Sequence, residues 1–247
     1  RAGNDAPGPI EVIASRDDAE LAEFTLSDDG SLAVVVWNVA GRSQVDLLEL
    51  ATGRTTPIAP LPAEIVFGVT LSKDGRLAVM TAAGAASPAD IFIYDRADGR
   101  FTRLTESPHA GVDLASMVRP ELVRFPAHDG IELTGWLYRP RGATVPGPIV
   151  LSFHGGPEGQ ERPGFNSTYQ ALLSRGIAVL APNVRGSSGF GKRFVNMDNG
   201  ALRVDGVRDL KSCADHVVKT GVADPRRIGI MGGSYGGYMV MAGLTRY

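Results

Sequence analysis

The sequence predicts two unlike halves: short repeated antiparallel strands first, then an α/β domain on a parallel sheet. Three observations carry this. A segment of the first half recurs 45 residues later. From Pro120 onward, apolar strand-like runs alternate with helix-like runs. Near the C-terminus, "RIGIMGGSYGGYMVMAGLTRY" gives a strand, a Gly-rich bend holding Ser234, and the start of a helix. A net charge of −2 over 247 residues supplies no electrostatic reason for a nucleic acid or anionic membrane partner, and neither is expected. No run of eighteen apolar residues occurs, so no transmembrane helix is expected. A single cysteine, Cys213, excludes an internal disulfide framework and offers no metal cluster. No cofactor and no metal are therefore expected, and Cys213 is expected as a small apolar core residue. The stretch "RAGNDAPGPIEV" lacks the apolar core of a leader peptide and an initiating Met. The compartment expected is cytoplasmic, with the periplasm open because the native N-terminus is not visible.

The repeat comes first in the chain. "FTLSDDGSLAVVVWN" starts at Phe24 and "VTLSKDGRLAVMTAA" at Val69. Thr25, Leu26, Ser27, Gly30, Leu32, Ala33 and Val34 recur as Thr70, Leu71, Ser72, Gly75, Leu77, Ala78 and Val79. The copies continue into "QVDLLELATGRTTPI" and "ADIFIYDRADGRFTRL". The turns "DDG", "KDG", "TGR" and "DGR" separate the apolar runs as hairpin signals do. A repeat of this length with about four short strands has the size of one propeller blade. Residues 1–115 are accordingly expected to form the last two or so blades of a β-propeller. A closed ring takes at least about four. An antiparallel sandwich made from a duplicated hairpin is the alternative.

The pattern changes between Asp113 and Pro120, so residues 116–247 form the second expected domain. "ELVRFPAHDGIELTGWLYRP" has the form of a hairpin. "GPIVLSFHGGPEG" and "IAVLAPNVRGSSGFG" are apolar runs ending in glycines, as buried parallel strands do. "FNSTYQALLSRG" is helical, with Gly176 as its stop. "DGVRDLKSCADHVVKTG" places Val207, Leu210, Ala214, Val217 and Val218 on one helical face. Alternation of this kind indicates an α/β domain with a parallel sheet.

The residues with chemical potential cluster in the glycine-rich segments. Gly232-Gly233-Ser234-Tyr235-Gly236 fits G-x-S-x-G. Such a serine sits at a sharp strand-to-helix bend in a strained backbone, and the residues two positions to either side must be very small. Ser234 is the candidate nucleophile. The N–H of Tyr235, at the positive end of the following helix, is a candidate oxyanion donor. His154-Gly155-Gly156-Pro157 follows a strand in the position from which the α/β-hydrolase fold takes its second oxyanion donor. Gly156 is the candidate, since Pro157 has no N–H. His154 is expected to orient this loop rather than act as base. Gly186 and Gly191-Lys192 satisfy G-x-x-x-x-G-K. However, Arg193 stands where a phosphate loop needs Ser or Thr, and no clear helix is expected to open at Lys192. A glycine loop bordering a cleft is the preferred reading.

"HGGP", "NVRGSSGFG" and "GGSYGGYM", in this order, resemble the prolyl oligopeptidase family of serine peptidases, its acylaminoacyl-peptidase or dipeptidyl-peptidase-like branch. The resemblance covers nearly the whole chain. It implies a mixed fold: β-propeller blades (all-β) followed by the first half of an α/β-hydrolase domain, incomplete at both ends. It further implies a serine-type peptidase acting on short peptides, with Ser234 as nucleophile and Tyr235 and Gly156 as oxyanion donors. The base is missing from the pattern. His109, His128, His154 and His216 all precede Ser234, and no Asp, Glu or His follows it, whereas α/β-hydrolase triads run Ser, acid, His. The triad Asp and His are expected outside this chain, and the 1–247 chain alone is expected to be inactive. The remaining C-terminal part of the same protein or a homo-oligomer is the partner expected to complete it. His109 and His128 are expected to be solvated, and His216 to lie on the sheet's flank. Asp205 and Asp209 are read as solvated helix charges. An esterase of the same fold, or a non-enzymatic propeller interaction module, are the alternatives.

Overall fold

The computed structural model describes residues 10–247. Residues 1–9, most of the stretch "RAGNDAPGPIEV", lie outside the described residues. The repeat folds as two four-stranded antiparallel sheets, each a meander in chain order, which is the strand order of a propeller blade. The first is β1 (Glu20–Leu26), β2 (Leu32–Val39), β3 (Arg42–Glu49) and β4 (Arg54–Pro57). The second is β5 (Ile65–Leu71), β6 (Leu77–Gly84), β7 (Ser87–Asp95) and β8 (Arg100–Arg103).

The recurring residues explain the recurring shape. The Gly30 N–H donates to the Ser27 carbonyl at 2.9 Å, and the Ser27 hydroxyl accepts from the Leu32 N–H at 3.0 Å. In the second copy, Gly75 and Leu77 make the same bonds to Ser72, at 2.8 and 2.9 Å. Local side-chain bonds of this type select the turn before any tertiary contact forms. The apolar residues of the two sheets pack together: Leu32, Val34, Val36, Val45 and Leu47 share one core with Val66, Val69, Ala78 and Met80. Each fully buried aliphatic side chain there contributes about 1.5–3 kcal/mol.

The second half is a five-stranded sheet in the order β13-β11-β12-β10-β9. Its strands are β9 (Glu121–Pro126), β10 (Glu132–Tyr138), β11 (Gly147–Phe153), β12 (Ala178–Asn183) and β13 (Ala223–Gly232). The sheet is mixed rather than parallel throughout. β12, β11 and β13 run parallel, while the β9–β10 hairpin joins β12 antiparallel. The short "AHDG" turn dictates this, because only antiparallel neighbours close over so few residues. The helices are α1 (Ser167–Ser174), α2 (Lys192–Asn196), α3 (Arg203–Lys219) and α4 (Tyr235–Arg246). In α3, Val207, Leu210, Cys213 and Val217 are buried, with Ala214 and Val218 packed beside them.

Three expectations need correction. A helix does open at Lys192, although it spans only five residues. Asp209 is fully buried, not solvated, because the Arg185 guanidinium from the loop after β12 reaches into α3 and bonds it at 2.8 Å. Arg185 also grips Asp129 at 2.9 and 3.0 Å, which holds the Asp129 carboxyl down at about 2. His128 is half-buried, 3.7 Å from Asp209 and 3.8 Å from Asp205.

Two features of this fold position the site. β11 lies between β12 and β13, so the chain leaves its C-terminal end in opposite directions along the sheet. A crevice forms at such a reversal, and it sets the loop after β11 beside the bend after β13. The blades are also fixed against the second half. The tip of the β2–β3 hairpin packs on the buried Trp136, leaving so little room that a Cβ on Gly41 would sit 3.2 Å from the indole. Arg162 donates to the Gly41 carbonyl at 2.9 Å.

Candidate active site

Between the last residue of β13, Gly232, and the first of α4, Tyr235, the backbone turns within two residues. Ser234 stands there at φ 54°, ψ −119°, with its side chain exposed. A non-glycine residue in that region is strained by about 1–3 kcal/mol and persists only where its surroundings impose it. The imposition is visible. A Cβ on Gly232 would lie 2.6 Å from the Gly236 carbonyl carbon. One on Gly236 would overlap the Phe153 carbonyl oxygen and lie 2.9 Å from its carbon. The two chain segments therefore cross at van der Waals distance over the end of β11, and Ser234 is the apex.

The loop after β11 runs along this apex. A Cβ built on Gly155 would be 3.5 Å from the Ser234 Cβ and 3.9 Å from its Oγ. Among the described residues, the N–H groups of Tyr235 and Gly156 have no acceptor. Tyr235 opens α4, so its N–H belongs to the positive end of the helix dipole. The Tyr235 side chain is buried, with its hydroxyl 3.4 Å from Asp198 and the Arg203 guanidinium 5.2 Å above its ring. Burial pushes the Asp198 carboxyl up, with Arg203 opposing it. No sequence signal pointed to Asp198.

His154 has both ring nitrogens engaged. Nδ1 lies 2.7 Å from the Gly155 carbonyl and Nε2 2.9 Å from the Ser187 hydroxyl. Burial lowers its pKa, and the Ser187 hydroxyl in turn donates to the Val184 carbonyl at 2.6 Å. The imidazole thus ties the "HGGP" loop to the "GSSG" loop. The other histidines are placed elsewhere. His216 stacks on Phe125 at a centroid distance of 4.2 Å, and His109 lies against the Ser107 carbonyl at 3.0 Å. With His128 held between acids of α3, none of the four bonds Ser234 among the described residues.

The G-x-x-x-x-G-K segment holds no vacant phosphate cradle. Its Gly189 and Gly191 N–H groups donate to the two oxygens of Glu20, from β1, at 3.0 and 2.6 Å.

Glu161, seven residues beyond His154, is a half-buried acid whose pKa is pushed up to about 7 by desolvation, the Tyr169 hydroxyl at 3.1 Å opposing the shift. A carboxyl raised above its unfolded value of 4.5 stabilises the fold fully below that value, and loses the contribution as pH rises through the folded value. Unfolding free energy is therefore expected to fall by up to about 3 kcal/mol between pH 4.5 and 8 on this account. Thermal melts of wild type and Glu161→Gln across that range check it: the variant's relative stability should rise with pH.

Comparison with known proteins gives the following. A family model described as "Prolyl oligopeptidase family" matches residues 163–247. Dipeptidyl aminopeptidase BIII of Pseudoxanthomonas mexicana is 35% identical over 184 residues, covering 71% of this chain and 27% of the relative. The chain thus spans about a quarter of that relative's length. The crystal structure of a puromycin hydrolase superposes with a TM-score of 0.81 at 26% identity, covering 94% of this chain and 37% of the other. Prolyl oligopeptidase B of Galerina marginata superposes with a TM-score of 0.84 at 21% identity, covering 94% and 33%, a likeness of fold. Both likenesses run across the paired blade-like sheets and the α/β portion together, so the fold is propeller blades joined to an α/β-hydrolase domain.

Proposed function

The chain belongs to the prolyl oligopeptidase family, and we propose that it carries the nucleophile of a serine-type peptidase that hydrolyses short peptides through an acyl-enzyme on Ser234. The observation that carries this is the strained, exposed serine at the crossing of two glycines, with the unbonded Tyr235 N–H next in the chain and the Gly155 backbone packed alongside. In this reading the Ser234 Oγ attacks the scissile carbonyl. The Tyr235 and Gly156 N–H groups receive the charge on the resulting oxyanion. The amine leaves, and water then releases the acyl group. The proton acceptor is not one of the four histidines of this chain, since His154 is committed to two loops and the others lie elsewhere. A division near residues 115 and 116 goes with this reading, as the sheets change partners between β8 and β9.

The blades favour a peptidase over a simple esterase, because a blade-bearing half beside the hydrolase sheet is what the prolyl oligopeptidase-type fold joins to its peptidase site. The test uses the natural full-length protein. Turnover of dipeptidyl- and N-acyl-aminoacyl-nitroanilides is compared with that of nitrophenyl esters, together with labelling by a fluorophosphonate. Peptide turnover with labelling at Ser234 is expected. A strong ester preference would favour the esterase, and no labelling would favour a non-enzymatic module.

A further inference from the structure

We propose that Glu20, on the first strand of the blades, is a positioning residue for the Ser234 site, holding through its carboxylate the two glycine loops that flank the nucleophile. The proposal rests on Ser234 being that nucleophile. Glu20 lies in β1 and touches neither Ser234 nor the "HGGP" turn. Its two oxygens accept from the N–H groups of Gly189 and Gly191, at 3.0 and 2.6 Å. Two charge-assisted bonds from loop amides two residues apart fix both the position and the orientation of the loop.

From there a continuous set of bonds leads to the bend. The Ser188 N–H donates to the Gly159 carbonyl at 2.9 Å, and Gly159 donates to the Pro157 carbonyl at 2.7 Å. In parallel, the Ser187 hydroxyl meets His154, which bonds the Gly155 carbonyl. Gly155 is the residue against Ser234, and Gly156 carries the proposed oxyanion N–H. A second blade residue joins from β2: the Asn38 amide donates to the Gln160 carbonyl oxygen at 2.7 Å.

The junction is tightly closed. At Gly189, φ 89°, a Cβ would overlap the Gln160 amide nitrogen and lie 2.9 Å from the Asn38 nitrogen. The blades, the "GSSG" loop and the end of the "HGGP" loop therefore meet at one point without room for a methyl group. Rigid support of this kind matters because displacing a donor by about 1 Å costs up to roughly a hundredfold in rate.

The test compares wild type, Glu20→Gln and Glu20→Ala in the natural full-length protein. Hydrogen exchange of the amides in 154–160 and 186–191 is expected to accelerate in Glu20→Ala, with the remaining backbone unchanged. Glu20→Gln keeps one acceptor but turns an N–H toward the other amide, so an intermediate effect is expected. On a small nitrophenyl ester, kcat is expected to fall about tenfold in Glu20→Ala with KM within about twofold, and fluorophosphonate labelling to slow by the same factor. A merely structural role would lower Tm while leaving kcat unchanged below the transition. Unchanged exchange in both loops, or accelerated exchange with unchanged kcat, would overturn the proposal. If wild type is not labelled at all, the nucleophile reading fails, and the exchange result alone decides whether Glu20 holds the loops.

Discussion

Replacing Ser234 by alanine in the natural full-length protein is expected to lower peptide and ester turnover by about 10⁴–10⁶-fold. Fluorophosphonate labelling should disappear, and the melting temperature should not change. The large kinetic effect follows from the loss of the oxygen on which the proposed acyl-enzyme would form. The thermal neutrality follows from the backbone. Serine and alanine both carry a Cβ, so the strain at φ 54° is the same in each. Ser234→Gly separates the two consequences. It is equally inactive, but glycine adopts that region without a steric penalty. Relief of about 1–3 kcal/mol of strain is partly offset by the greater freedom of glycine in the unfolded chain, about 0.4–1 kcal/mol. A net gain of up to about 2 kcal/mol is expected, read as a Tm above both wild type and Ser234→Ala. A Ser234→Ala variant that keeps turnover would end the assignment. A Ser234→Gly variant that melts below Ser234→Ala would show that the bend is not strained.

What was legible in the sequence was what local sterics and local hydrogen bonding determine. The turns at Ser27–Gly30 and Ser72–Gly75 repeat because each is closed by its own serine, so the repeat announced the blades. The bend at Ser234 was legible because its requirement is local, two glycines on either side of a serine between a strand and a helix. Asp209 was misread for the opposite reason. The helical pattern assigns a charged residue to the outer face, and only a partner 24 positions away, Arg185, makes its burial tolerable. Glu20 was invisible altogether, since its acceptor role depends on glycines 169 and 171 positions further on. The parallel sheet is legible only in part: the apolar runs of β11 and β12 betray burial on both faces, while the antiparallel pairing of the β9–β10 hairpin with β12 depends on a contact between strands far apart in the chain.

Gly236→Ala is expected to destabilise the fold by roughly 4 kcal/mol or more, and to yield little soluble, active protein. The added methyl would meet backbone, not a flexible side-chain end: the Phe153 carbonyl oxygen and carbon, and the His154 carbonyl oxygen at 3.1 Å. Backbone in the central strand β11, paired on both sides by β12 and β13, cannot withdraw without breaking ladder bonds. The alternative, lifting α4 away from the sheet, would uncover Met239, which is fully buried, and lose its share of about 1.5–3 kcal/mol. Either route also moves Ser234. Gly233→Ala is the matched control, because a Cβ there has no heavy atom within 4 Å. It is expected to stay within about 0.5 kcal/mol of wild type and to retain labelling. The contrast separates glycines required by the crossing from one that is merely adjacent to it. If Gly236→Ala melted with the wild type and labelled at the same rate, α4 would not cross β11 at contact distance. The steric account of how Ser234 is presented would then be lost, even with the serine itself still reactive.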